Sequence, residues 1–271
     1  MASRLFTFGC SFTRYYWPTW ADMLGREYDE FENWGNGGIG NRAILERLTE
    51  CIVNNKITAQ DTIIVQWSDL HRFDMHKPRP GLPEGWAQGG NMLAAPDFEK
   101  SWISSLWEEQ SYVMHTLNFI KLAITLLESL PCTWYMTSLH DITTDLNRWP
   151  TTFKNYIPLF QHENFLPPMD SFFTQYEFPR KTLIDTDGTN QVDEHPIPLA
   201  HYAWLTEVLS PKLSKITDEP WALQANTVLF NHCKYYSKLH DDFEKQMKWL
   251  AGGNWVRGCI DTNYASSKSL Q

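Results

Sequence analysis

The chain has 271 residues, 42% of them hydrophobic, enough to bury one sizeable core and carry some decoration. Its 23 Lys and Arg stand against 32 Asp and Glu, a net charge of −9, so no basic field is available to hold a phosphate backbone and nucleic acid is not an expected partner. No apolar run reaches the roughly 18–20 residues that cross a bilayer, so no membrane contact is expected; five Cys, odd in number and without a C-x-x-C pair, argue against a disulfide framework and a zinc site.

Residues 4–8 read as a strand that starts without a charged leader or cleavage site, which points to a soluble chain in a reducing, cytoplasmic compartment. A Gly9-Cys10-Ser11 turn and then a helix near Trp20 follow. A Gly- and Asn-rich turn over 33–41 leads into a helix over 42–53, with Ile44, Leu45, Leu48 and Ile52 near one face. Residues 62–67 are nearly all β-branched or aromatic, as a strand buried on both faces of a parallel sheet requires. The Pro- and Gly-rich stretch 76–97 reads as a long loop. Helical spacing then runs over 101–129 and closes at Pro131, before a strand over 133–137.

Residues 144–180, rich in aromatics and prolines without clear periodicity, read as an insertion able to act as a lid; 199–209 resumes as a helix. The alternation predicts a three-layer α/β/α domain over residues 1–215 with a central parallel, flavodoxin-like sheet, insertions near 76–100 and 144–180, and a helical extension over 216–271. That extension, with one helix over about 224–250, reads as an appendage and a possible dock for a protein partner.

Chemistry concentrates at Ser11. A serine hydroxyl needs a base to become a nucleophile, and a tight turn between strand and helix presents one well. Three blocks, that of Ser11 among them, lie in an order that resembles the SGNH hydrolases, or GDSL esterases. Ser11 falls where that family has Gly-Asp-Ser; Asn33-Trp34-Gly35-Asn36-Gly37-Gly38 resembles its N-x-G-x-x-G block; Asp193-Glu194-His195-Pro196, followed by His201, resembles its closing block. The resemblance implies Ser11 as nucleophile, His195 as general base, Asp193 as its orienting acid, and an oxyanion site from the N–H groups of Ser11 and Gly38.

Two positions depart from the family pattern. Its G-x-N-D block falls on Gln66-Trp67-Ser68-Asp69, so Ser68 stands where an asparagine donates to the oxyanion. The orienting acid of the family lies three residues before the histidine, where this chain has Val192; Asp193 lies two before, with Asp187 as the alternative. The implied activity is hydrolysis of a small ester, such as an O-acyl or O-acetyl group on a carbohydrate, with no cofactor and no metal. The N-terminal segment is also similar in style to SGNH-type proteins of tailed bacterial viruses. That supplies the rival expectation, a weakly active or inactive protein serving as a virion or binding component.

Trp34, Trp67, Asp69 and Arg72 lie beside the motif blocks and are the candidate substrate-binding residues; Trp17 and Trp20 share the choice between core packing and a sugar-stacking wall. His71 and Asp74 belong to the same polar cluster after the second strand. Cys10 alternates with Ser11 and reads as a core thiol rather than a nucleophile. His232 and His240 are two helical turns apart, too far for one metal ion, and read as a solvated face.

Overall fold

The computed structural model describes residues 2–76, 86–87, 101, 105, 108–215 and 218–247. Four parallel strands form the central sheet: β1 (Arg4–Phe8), β2 (Glu30–Asn33), β3 (Asp61–Trp67) and a later strand, Thr133–Ser138, in the order β2, β1, β3, then Thr133–Ser138. The chain moves from β1 to one neighbour and then crosses back to the other, so the switch point lies between β1 and β3 at their carboxyl ends. This is the α/β, flavodoxin-like layout expected from the sequence. The expected count of strands in this central sheet was short by one. Residues 30–33 carry alternating charge and only Asn33 is fully buried, a weak strand signal that sheet pairing with β1 overrides.

Alternation along the strands feeds two cores. Phe6, Phe8, Ile63, Val65, Trp67, Trp134 and Met136 face α2 (Asn41–Asn54) and α3 (Glu109–Glu128); Leu5 and Ile64 face α1 (Trp20–Gly25) and the helix near residue 200. At the amino edge of the sheet Arg4 clamps its register partner Asp61 through both carboxylate oxygens, at 2.8 and 2.7 Å. The helix α2 begins at Gly40, which has no capping side chain. Asp74 supplies the cap from a distance, accepting from the N–H groups of Gly40 and Ala43 at 2.7 and 2.9 Å.

A two-residue ribbon pairs β4 (Met75–His76) with β5 (Trp86–Ala87); the rest of the loop expected over 76–97, and the start of the helix expected at 101, fall largely outside the described residues. Strand Thr133–Ser138 is then β6. The expected aperiodic insertion is a run of short helices: α4 (Ile142–Leu146), α5 (Pro150–Phe153), a 3₁₀ segment over Lys154–Gln161 and α6 (Met169–Gln175). Each is too short to show a 3.6-residue period, yet Ile142, Leu146, Phe153, Leu166 and Met169 are buried in the two cores, so the segment is part of the body.

An antiparallel hairpin follows, β7 (Lys181–Ile184) with β8 (Asn190–Asp193), then α7 (Pro198–Trp204), which runs through a π turn at Leu205–Leu209 into α8 (Ser210–Leu213). The expected single helix over 224–250 is two, α9 (Glu219–Asn231) and α10 (Leu239–Met247). The extension is no appendage. Its Ala225, Val228, Leu229, Cys233, Leu239 and Phe243 share a third core with Trp17, Leu183 and Ile197.

Candidate active site

The turn after β1 is built by packing as much as by its own sequence. Gly9 has no room for a side chain: a Cβ there would lie 2.2 Å from Thr13 Oγ1 and 2.7 Å from Gln66 Oε1. Gln66, a polar residue in an otherwise apolar buried strand, reaches beneath the turn and accepts from Cys10 N at 3.4 Å and Thr13 Oγ1 at 3.2 Å. The N–H groups of Thr13 and Arg14 close the turn on Cys10 O, and Asn36 N donates to Gly9 O at 2.9 Å. Asn33 joins the two motif blocks, donating to Thr13 O and accepting from Gly35 N. Gly38, at φ 76°, occupies the left-handed region that a side chain disfavours.

Ser11, buried at this turn, lies with its Oγ 2.8 Å from His195 Nε2. His195 Nδ1 lies 2.7 Å from Asp193 Oδ1, which also accepts the His195 backbone N–H at 2.8 Å. A carboxylate only accepts, so Nδ1 carries the proton and Nε2 of the neutral ring is free to accept the Ser11 hydroxyl proton. Asp193 is the aspartate beside His195; Asp187 sits in the β7–β8 turn, where it is exposed and holds Thr189. Burial would raise the Asp193 carboxyl, but the hydrogen bonds and charge of His195, with hydroxyls from Tyr15 and Tyr236, hold it below the ordinary carboxylate range.

The segment after Ser11 anchors the histidine loop. Trp17 Nε1 donates to Pro196 O at 2.8 Å, and Phe12 packs against the His195 ring at 5.6 Å. Cys10, fully buried, turns away from Ser11 to Gln66. His201 is fully buried behind Phe12, and burial lowers it to about 3, so it is a neutral core residue with its Nδ1 unpartnered.

Ser68 follows β3 and is fixed by Asn41, whose Oδ1 accepts Ser68 N at 2.7 Å and whose Nδ2 donates to Ser68 O at 3.2 Å. The Ser68 hydroxyl is buried without a hydrogen-bond partner. Along the same sheet edge, between the ends of β3 and β6, lies an open depression of about 420 Å³ lined by Ser68, Asp69, His71, His140, Asp141, Asp145 and Asp170 among others. There His71 bridges Asp69 and Glu109, at 2.9 and 3.3 Å; burial would lower it, but these two carboxylates raise it overall.

Two of the expected substrate contacts are corrected by packing. Trp34 stacks on Phe8 in the core with Nε1 on Glu32, and Trp67 is fully buried with Nε1 on Met136 Sδ, so neither offers a ring face to a ligand. Trp17 and Trp20 are likewise sealed in cores. Arg72 donates to Ile39 O, bracing the glycine loop, and Asp69 lines the depression. Among the described residues no His, Cys, Asp and Glu cluster has the form of a metal site, and no helix is long and apolar enough to cross a membrane.

Tyr15, Tyr236, Asn41 and Gln66 were not singled out by the sequence. Only Gln66 carried a signal there, as the lone amide in an apolar strand. Compared with known proteins, the chain matches no family model and no curated protein. Among solved structures it is similar to protein YxiM from Bacillus subtilis, at 14% identity over 65% of this chain and 46% of that one, with a TM-score of 0.35; the match spans less than half of that protein's length.

Proposed function

We propose that the chain is a serine esterase of the SGNH type that removes a small acyl group, acetyl being the simplest, from a carbohydrate hydroxyl. The observation that carries the reading is the unbroken relay Ser11 Oγ, His195 Nε2, His195 Nδ1, Asp193 Oδ1, with links of 2.8 and 2.7 Å at a buried turn after the first strand. In this reading His195 takes the Ser11 proton as Oγ attacks the ester carbonyl, and then returns it to the departing alcohol. Water, activated by the same ring, releases the acid from the acyl-enzyme.

The oxyanion is held by the N–H groups of Ser11 and Gly38 and by the Ser68 hydroxyl, a buried donor with no other partner. Asn41 stands in for the missing asparagine indirectly, by fixing the backbone of the shorter donor. The acidic depression beside Ser68 supports a neutral, hydroxyl-rich alcohol: among the described residues four aspartates line it and accept hydrogen bonds from hydroxyls, and no Lys or Arg lines it to favour an anion.

The test is a fluorophosphonate probe with hydrolysis of p-nitrophenyl acetate. Labelling mapped to Ser11, lost in Ser11→Ala and reduced by at least about a thousandfold in His195→Ala, is the expected result. An intact, folded protein that neither labels nor turns over short-chain or sugar acetates refutes the esterase reading and leaves the fold as a binding part.

A further inference from the structure

The relay has more partners than a Ser-His-Asp site needs. Asp193 is 3% exposed, so its second oxygen, Oδ2, has essentially no access to water. Two phenols meet it instead: Tyr15 OH and Tyr236 OH each donate to Oδ2 at 2.6 Å. Both distances are in the short range of O–H···O⁻ bonds to a charged acceptor. The Tyr15 ring also lies nearly flat over the His195 imidazole, centroids 3.8 Å apart and planes 23° apart.

The two phenols arrive from opposite ends of the chain. Tyr15 follows the nucleophile turn. Tyr236 comes from the extension, where Lys234 O accepts Ile184 N at 2.8 Å and Tyr235 bridges Ile184 on β7, itself paired with the strand that carries Asp193. The hairpin and the 234–236 segment therefore fix acceptor and donor on one small sheet.

We infer that Tyr15 and Tyr236 are positioning residues of the relay, a two-phenol clamp that fixes the rotamer and the basicity of Asp193 and, through it, of His195. The inference rests on the proposed role of that relay. A clamp of this kind divides the carboxylate's charge between His195 and two neutral donors. Burial and the Asp193 charge push both phenols upward, so they remain donors across the working range of pH. Tyr15 adds an aromatic face that restrains the imidazole.

Other charged groups nearby are already engaged. Lys181, the register partner of Asp193, directs its ammonium to Phe230 O at 3.5 Å; Arg180 pairs with Glu194; Asp185 beyond Tyr236 holds Thr186; and His201 is neutral. None of these supplies a second cation to Asp193.

The test uses the full chain, with Tyr236→Phe and Tyr15→Phe separately and together. In a Ser11→Ala background, the His195 ring is titrated by ¹H–¹⁵N NMR. Loss of one phenol leaves more charge on Asp193 facing the imidazolium, so the midpoint moves up by roughly half to one pH unit, and further in the double variant. With Ser11 present, kcat for p-nitrophenyl acetate falls on the order of tenfold while KM holds within about twofold. Midpoints within about 0.2 unit of the parent in both single variants overturn the clamp, whatever happens to thermal stability. The NMR arm needs no turnover. An inert protein with shifted midpoints thus refutes the esterase reading alone, and an active one with unmoved midpoints refutes the clamp alone.

Discussion

His201 gives the fold an acid sensitivity that can be measured apart from catalysis. The ring is fully buried, meets Phe12 and Phe173 edge-on at 6.4 and 5.8 Å, and has an unpartnered Nδ1. Burial first, and the nearby His195 second, lower it from 6.5 to about 3. Above pH 6.5 neither folded nor unfolded chain binds this proton, and its contribution is flat. Below 6.5 the unfolded chain takes up a proton that the fold refuses until about pH 3, so stability is lost as pH falls through that window. The loss is about 1.4 kcal/mol per pH unit, or roughly 2–3 kcal/mol between pH 7 and 4.5. Set against a typical total of about 5–15 kcal/mol, that is a large share. Replacing His201 by Leu keeps a similar volume among aromatic rings and removes both the titration and the unpartnered nitrogen. Urea denaturation of wild type and His201→Leu at the two pH values reads the difference directly. The variant should lose roughly 2–3 kcal/mol less than wild type on acidification. Equal losses would mean that His201 does not resist protonation and that the reasoning is wrong.

Two further variants separate the structural from the chemical at the turn. Ser68→Ala deletes a hydroxyl with no partner, so thermal stability should hold, while kcat on an acetyl ester drops about ten- to a hundredfold at nearly constant KM. Gln66→Leu leaves Cys10 N and Thr13 Oγ1 without their buried acceptor; calorimetry should show a loss of about 2–4 kcal/mol, and an unchanged melting temperature would remove Gln66 as the support of the turn.

The parts legible in the sequence were those set by local rules. Residues 4–8 and 62–67 declare themselves as strands through mostly apolar, aromatic or β-branched content, and their order places Ser11 at the carboxyl edge of a parallel sheet. Asp193 could be paired with His195 from the resemblance of the closing block, with alternation along an extended chain in support. The aromatic surplus misled, since composition cannot tell a ring in the core from one on a wall; Trp34 and Trp67 fill space under the motif blocks instead of lining a groove. Tyr236 left no trace because its role exists only through a contact spanning 43 residues, from a stretch whose own pattern reads as the interior of one continuous helix. Asn41 resembles any polar residue at a helix start, and its grip on Ser68 is visible only once α2 is laid against β3.

The separation of Ser11 and His195 by 184 residues has a consequence in time. Ser11 and His195 lie far apart along the described chain, and such distant contacts form only after the intervening segments have collapsed. During synthesis the β1 turn emerges ahead of the β7–β8 hairpin and waits without its imidazole partner. The contacts from Ser11 to His195 and from His195 to Asp193 therefore form only when the β7–β8 hairpin and the segment after it dock, and Tyr236, emerging later still, can meet the carboxylate only after that.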